Sequence, residues 1–140
     1  MRFTKATTQF EYFSLMEIRI KVFVKEQCVD PLIELDEEDK TCNQYLVYSD
    51  NKPIATCRVI RHGTTWHVGR VAVLKEFRNK HCGSFMLKEI EKIAHQEQAE
   101  KLVLGAQTVA IPFYEKNGFI AYGDIYLDAD IEHRMMEKIL

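Results

Sequence analysis

Basic and backbone-exposing residues crowd into one short stretch, Arg78-Asn79-Lys80-His81-Cys82-Gly83-Ser84. It follows an apolar run, Val68-Gly69-Arg70-Val71-Ala72-Val73-Leu74, and precedes an amphipathic segment from Phe85 to His95. That order predicts a strand, a tight loop and a helix. In such a loop several backbone N–H groups converge, and the positive end of the helix dipole adds to them. Arg78 and Lys80 bring full charges, so the place suits a pyrophosphate. Farther along, Ile111-Pro112-Phe113-Tyr114-Glu115-Lys116-Asn117-Gly118-Phe119 reads as a short helix that stops on Asn-Gly and presents a tyrosine. Together the two segments predict a phosphorylated ligand held beside Tyr114.

Elements must exist to position them. A short strand is expected around Phe3 and a helix from about Thr8 to Gln27, capped by Thr7 or Thr8. Phe13, Met16, Ile20 and Phe23 fall on one face of it. Pro31 ends that helix, because it disfavours helical backbone at Asp30. The acidic run from Glu34 to Asp39 reads as a loop or a single helical turn. A three-stranded meander follows over 44–48, 53–61 and 65–74. A second long helix spans 82–98, with Met86, Ile90, Ile93 and Ala94 on one stripe, and a short strand 101–105 comes next. That strand–helix–strand unit predicts a right-handed crossover and a parallel pair. A short helix over Val109 to Lys116 leads to two last strands, Phe119 to Tyr122 and Ile131 to Lys138. The expected fold is a mixed α/β sheet, antiparallel in its first half, with a central parallel pair.

At 140 residues, the chain is expected to form a single domain, 1–140. The net charge of −2 gives no ground for nucleic-acid binding. No apolar run is long enough to span a membrane, and residues 1–6 show no apolar signal region. The four cysteines, Cys28, Cys42, Cys57 and Cys82, form no C-x-x-C pair. They read as free thiols in a reducing cytoplasm rather than as a zinc site.

The order of elements and the two motifs resemble the GNAT superfamily of N-acetyltransferases. In that family an (Arg/Gln)-x-x-Gly-x-(Gly/Ala) loop binds the cofactor pyrophosphate; Arg78, His81 and Gly83 occupy its defined positions. The segment from Ala110 to Phe119 resembles the family's Pro-Phe-Tyr-Glu-Lys-x-Gly-Phe signature. Arg19 to Gln27, Glu34-Leu35-Asp36 and the late His133 with Met136 are similar to the ElaA-like branch. Two positions depart: Asn79 and His81 stand where glycine is common. Asn tolerates left-handed backbone better than His does. Either the loop accepts a side chain at residue 81, or phosphate contact there is altered.

The resemblance implies acetyl-CoA as co-substrate and direct attack by a primary amine, small-molecule or peptide, through a tetrahedral intermediate. Val71, Ala72 and Val73, on a strand splayed from its neighbour, would hold pantetheine, with an N–H of Val71 or Val73 polarising the acetyl carbonyl. Arg78, Asn79, Lys80, His81, Cys82, Gly83 and Ser84 would cradle the pyrophosphate. Tyr114, with an ordinary phenol pKa near ~10, would protonate the leaving sulfur; a buried aromatic with a satisfied hydroxyl is the plainer reading. For the base, Glu26, Glu34, Asp36 and His67 stand open. Glu26, at the end of the first long helix, could deprotonate or bind an ammonium, or could simply pair with Lys25 or Arg19. The acidic run reads as a solvated face that could attract a cationic acceptor; it lacks the spacing of a calcium loop. Cys82 at a helix start could have a lowered pKa and act as a nucleophile, or could be a small residue beneath the phosphate. His133 or Met136 could line the acceptor pocket. The last strands could pair across a homodimer. A non-catalytic acyl-CoA-binding module of the same fold is the competing reading.

Overall fold

The computed structural model describes residues 1–140. Its centre is one seven-stranded sheet, built from β1 (Arg2–Lys5), β2 (Asn43–Ser49), β3 (Lys52–His62), β4 (Thr65–Val73), β5 (Lys101–Gln107), β6 (Ile120–Asp128) and β7 (Ile131–Ile139). The spatial order is β1-β2-β3-β4-β5-β7-β6. All neighbours are antiparallel except β4 and β5. The mixed sheet with its central parallel pair is the one the sequence predicts.

Helices cover both faces. α1 (Gln9–Arg19) runs on into a π-helix, Ile20–Glu26. Thr8 caps its start in a capping box: the Glu11 N–H donates to Thr8 Oγ1 at 3.1 Å, and the Thr8 N–H donates to Glu11 Oε1 at 3.0 Å. α2 (Pro31–Glu34) is one turn begun by Pro31, with Asp30 extended in front of it. A 3₁₀ turn, Glu37–Lys40, follows. α3 (Cys82–Gln96) joins β4 to β5, and α4 (Ile111–Lys116) carries Tyr114. Met86, Leu87, Ile90 and Ala94 of α3 pack with Tyr45, Val47, Cys57, Val59, Trp66 and Val68 on one face of the sheet. Leu15, Ile18 and Val22 pack with Leu46, Ala72 and Leu74 on the other.

Three features differ from expectation. The buried face of the first helix is Leu15, Ile18, Arg19 and Val22, whereas Phe13 and Ile20 are exposed and Met16 and Phe23 only half-buried. Both sets satisfy helical spacing, and the buried one carries Arg19 inward to a set of carboxylates. β6 does not stop at Tyr122 but continues to Asp128. Gly123 (φ 74°) sits in a bulge of this strand, where its carbonyl accepts from Arg134 Nε at 2.9 Å. The hairpin then closes on Ala129-Asp130, both left-handed.

The third feature is a bulge in β4. Thr56 lies opposite Ala72 and Arg58 opposite Gly69, so Arg70 and Val71 together oppose Cys57. Arg70 has φ 49°. A strand alternates faces with period two, so an extra residue reverses the pattern beyond it. Val68 therefore packs under α3, while Ala72, an even number of residues later, packs under α1.

Candidate active site

β4 and β5 pair at only three positions: Thr65 with Lys101, Trp66 with Leu102 and His67 with Val103. Beyond these the strands part, and a cleft of about 1170 Å³ opens between them. The bulge lies on its β4 side. The two chemical segments picked out in sequence meet here. Val71, Ala72, Val73, Arg78, Asn79, His81, Cys82, Gly83 and Ser84 line the cleft, and so does Tyr114. Lys80 and Glu26 do not line it. The Lys80 ammonium lies 5.7 Å from the centre of the Phe77 ring.

The loop before α3 takes the strained backbone its sequence requires. Asn79 (φ 61°) and His81 (φ 63°) are both left-handed, and His81 is exposed. The loop therefore accepts a side chain at residue 81. The first helical hydrogen bond runs from the Phe85 N–H to the His81 carbonyl at 2.9 Å. The N–H groups of Cys82, Gly83 and Ser84 come before it, and no side chain caps them. Three free donors at the positive end of a helix, on a cleft wall, fit a pyrophosphate. Gly83 has a second reason to be glycine. A Cβ there would stand 2.8 Å from Phe113 Cζ, so its absence lets α3 and α4 approach.

Arg78 is already engaged. Its two terminal nitrogens donate to the two Glu26 carboxylate oxygens, each at 2.9 Å, and its Nε donates to the Val73 carbonyl at 2.9 Å. Glu26 thus pairs with Arg78 rather than with Lys25 or Arg19. Cys82 is 3% exposed, and burial pushes its thiol up to about 11. Desolvation therefore outweighs the lowering that a helix start could bring, and a thiol held protonated makes a poor nucleophile. Tyr114 is buried between Phe113 and Phe119, with ring centres 5.0 and 5.8 Å away. Burial raises its phenol, with the Cys57 thiol adding to the shift, and no hydrogen bond offsets it.

The opposite wall comes from the first helix and the last strands. Gln107 Nε2 donates to Gln27 Oε1 at 2.8 Å, tying the end of β5 to the end of the π-helix. The Tyr126 hydroxyl lies over Gly105 and donates to Met135 Sδ at 3.3 Å; its ring stacks on His133 at 5.7 Å. His133 lines the cleft, whereas Met136 is fully buried in the core. His67 also lines the cleft, edge-on to His62 at 4.9 Å. Burial, then His62 and Lys101, lower its pKa and favour neutral imidazole.

The acidic run is only in part the solvated face expected of it: Glu37 and Glu38 are exposed. Asp36 and Asp39 turn inward with Glu34 to meet three arginines from elsewhere in the chain. Arg19, with no exposed surface, donates to Asp39 Oδ1 at 2.6 Å and to Glu34 Oε2 at 3.1 Å. Arg58 binds Asp36 through two nitrogens at 2.7 and 2.8 Å and reaches Asp39 at 3.0 Å. Arg70, the bulge residue, contacts Glu34 Oε2 at 2.7 Å and Asp36 at 3.1 Å. Three formal positive charges meet three negative ones, which is how such groups can be buried at all. The Arg58 hydrogen bond, working against burial, holds Asp36 below the usual carboxylate range. For Asp39, the bonds from Arg19 and the Asp36 N–H outweigh desolvation, and its pKa falls too. For Glu34 desolvation wins over Arg70 and Arg19, and its pKa rises. The network locks the left-handed Arg70, and with it the bulge, to α2. Sequence reading missed it because its six members are scattered from residue 19 to residue 70.

Residues 9–140 match the acetyltransferase (GNAT) domain family. The chain belongs to the GNAT acetyltransferases. It is 36% identical over 122 residues to the uncharacterized N-acetyltransferase YjcF of Bacillus subtilis, covering 86% of this chain and 87% of that one. It is 28% identical over 134 residues to ElaA of Escherichia coli, covering 91% and 87% of the two chains. The crystal structure of E. coli ElaA superposes with a TM-score of 0.87 over 98% of each chain, at 23% identity. A GNAT acetyltransferase from Elizabethkingia anophelis with acetyl-CoA bound has the same fold, with a TM-score of 0.75 over 99% of this chain and 97% of that one, at 19% identity. As a GNAT member, the chain is an acetyl-CoA-dependent acetyltransferase. No helix is long and apolar enough to cross a membrane.

Proposed function

We propose that this GNAT enzyme transfers the acetyl group of acetyl-CoA to a primary amine, of a small molecule or a peptide, by direct attack. Tyr114 protonates the leaving CoA sulfur. One observation carries the reading: a phenol kept protonated by burial borders the same cleft as the uncapped first turn of α3. The free N–H groups of Cys82, Gly83 and Ser84 receive the pyrophosphate. The parted strand at Val71 to Val73 offers backbone to pantetheine, and an N–H there polarises the acetyl carbonyl as negative charge grows on its oxygen. A proton held until the sulfur departs is useful only from a group that is not ionised beforehand, which the raised phenol satisfies.

Arg78 adds charge to the phosphate once it leaves Glu26. While the pair is intact both Glu26 oxygens are occupied, so any dealing of Glu26 with an ammonium also waits for Arg78 to let go. Four unpaired cysteines suit a reducing compartment, and the cytoplasm supplies acetyl-CoA as well. The test is Tyr114→Phe, which removes the proton and keeps the ring. We expect turnover to drop by about 10²-fold or more, with acetyl-CoA affinity within about twofold by calorimetry. Equal turnover in the variant removes Tyr114 from the chemistry.

A further inference from the structure

The amine must lose a proton before it attacks, and the carboxylates on the acceptor side differ sharply in what they can accept. Asp36 and Asp39 give their oxygens to arginines and are held ionised. Glu34 is different. Both of its side-chain ion pairs, with Arg19 at 3.1 Å and with Arg70 at 2.7 Å, fall on one oxygen, Oε2. Oε1 takes no hydrogen bond from the chain. Nor is it a sealed orphan, since the only polar side-chain atoms buried without a partner are Arg19 Nε and Arg58 Nε. Glu34 lines the cleft, so Oε1 is the oxygen the cleft can reach.

Its place is fixed from several sides. The Glu34 backbone carbonyl accepts from Arg19 Nη2 at 2.7 Å and from Arg70 Nη2 at 3.0 Å. Arg70 is the bulge residue, and the next residue, Val71, is on the parted strand where the acetyl carbonyl is expected. We infer that Glu34 receives the acceptor amine as an ammonium on Oε1 and takes its proton, which makes Glu34 the general base of this acetyl transfer. The inference rests on the acetyl-transfer reading above.

The atoms balance. An ammonium brings three protons on nitrogen and the amide keeps one. One passes to Glu34 Oε1 and then to solvent through the cleft. The other leaves nitrogen as the carbon–sulfur bond breaks and ends on the CoA sulfur, where Tyr114 acts as the donor and is reprotonated. The C–N bond forms, the C–S bond breaks, and nothing is oxidised or reduced. The charged groups around Glu34 are Arg19 from α1, Arg58 from β3, Arg70 from β4, and Asp36 and Asp39 beyond α2. Burial, the largest influence on Glu34, makes its carboxylate a better proton acceptor than its exposed counterparts, while the arginines hold it in check.

The experiment compares Glu34→Gln with Asp36→Asn in steady-state kinetics with a panel of primary amines, following CoA thiol release. Each substitution disturbs Arg70 and one further arginine, Arg19 for Glu34 and Arg58 for Asp36, but only the first removes the free carboxylate oxygen. Glu34→Gln is expected to lower kcat/KM for the amine by about 10²-fold or more, to abolish the acidic limb of the pH–rate profile, and to leave the acetyl-CoA Kd within about twofold. Asp36→Asn is expected to keep that limb. In Glu34→Ala, added formate and acetate should restore rate in order of their basicity. Equal losses in Glu34→Gln and Asp36→Asn, or an unchanged pH limb, would overturn the assignment and leave Glu34 a structural anchor. Absence of thiol release by the unmodified enzyme with every amine would instead defeat the acetyl-transfer reading.

Discussion

Replacing Gly83 by alanine tests whether the last defined position of the phosphate loop is glycine for the ligand or for the fold. The added methyl would stand 2.8 Å from Phe113 Cζ and 3.2 Å from Phe113 Cε1. The ring is half-buried against Tyr114, at 5.0 Å between centres, so it cannot swing away freely. Overpacking of this kind costs about 1–3 kcal/mol. Against it, alanine in a helix is better than glycine by up to about 1 kcal/mol, although a first-turn site realises only part of that. The expected balance is a loss of about 1–2 kcal/mol in urea unfolding. In a Phe113→Leu background the atoms that clash are gone, because leucine does not reach to where Cζ and the two Cε atoms stand. The same Gly83→Ala change should then turn neutral or stabilising. A cycle of four proteins, unfolded in urea without ligand, reads the coupling directly. If Gly83→Ala costs the same with and without the Phe113 ring, the steric argument fails and the glycine serves only the phosphate.

The Arg78–Glu26 pair competes with the phosphate, so Glu26→Gln should tighten CoA binding. Both side chains are more than a third exposed, which limits the pair to about 0.2–1 kcal/mol and the gain to roughly fivefold; weaker binding by calorimetry would show instead that Glu26 aims the guanidinium. Asp39→Ala removes the carboxylate that Arg19 and Arg58 share and should cost about 3–5 kcal/mol in urea unfolding; a loss under 1 kcal/mol would mean that water or neighbouring groups replace it. The folded pKa values of Asp36 and Asp39 lie below their unfolded ones, so their stabilisation is present above the unfolded carboxylate pKa and is lost as pH falls through the folded values. Glu34, raised, has the opposite sign. The melting temperature should therefore fall on acidification below about pH 4, and less steeply in Asp36→Asn; identical slopes would refute the linkage.

The phosphate loop and the tyrosine helix are legible in sequence because each is a local device. A loop with Asn79 and His81 between a strand and a helix, or a stop at Asn117-Gly118, declares itself within ten residues. The meander and the parallel pair follow from alternation and from the length of the crossover. What escapes is set by contacts distant in sequence. Phe13, Met16, Ile20 and Phe23 mark a helix face as well as Leu15, Ile18 and Val22 do, and only the sheet and the carboxylates decide between them. Asp36 and Asp39 look like surface because nothing near them is basic enough to bury them; Arg58 and Arg70 arrive from the sheet. The bulge at Arg70 has no local signature, since an arginine in the left-handed region is held there by its partners rather than by its own preference.

The first helix and its π continuation form one rod whose far half is underwound. A π turn takes in one residue more than an α turn, so this rod contains a residue it does not need for length. Deleting any one residue of Ile20–Glu26 would let the wide turns close into ordinary ones, and the rod itself would grow sturdier. Because the wide turns had absorbed that residue, the chain beyond the deletion would keep nearly its present facing, whereas the same deletion in an ordinary α-helix would swing it by about 100°. Gln27 would stay within reach of Gln107. In this part of the gene a three-base deletion spares the enzyme's aim and mends a helix.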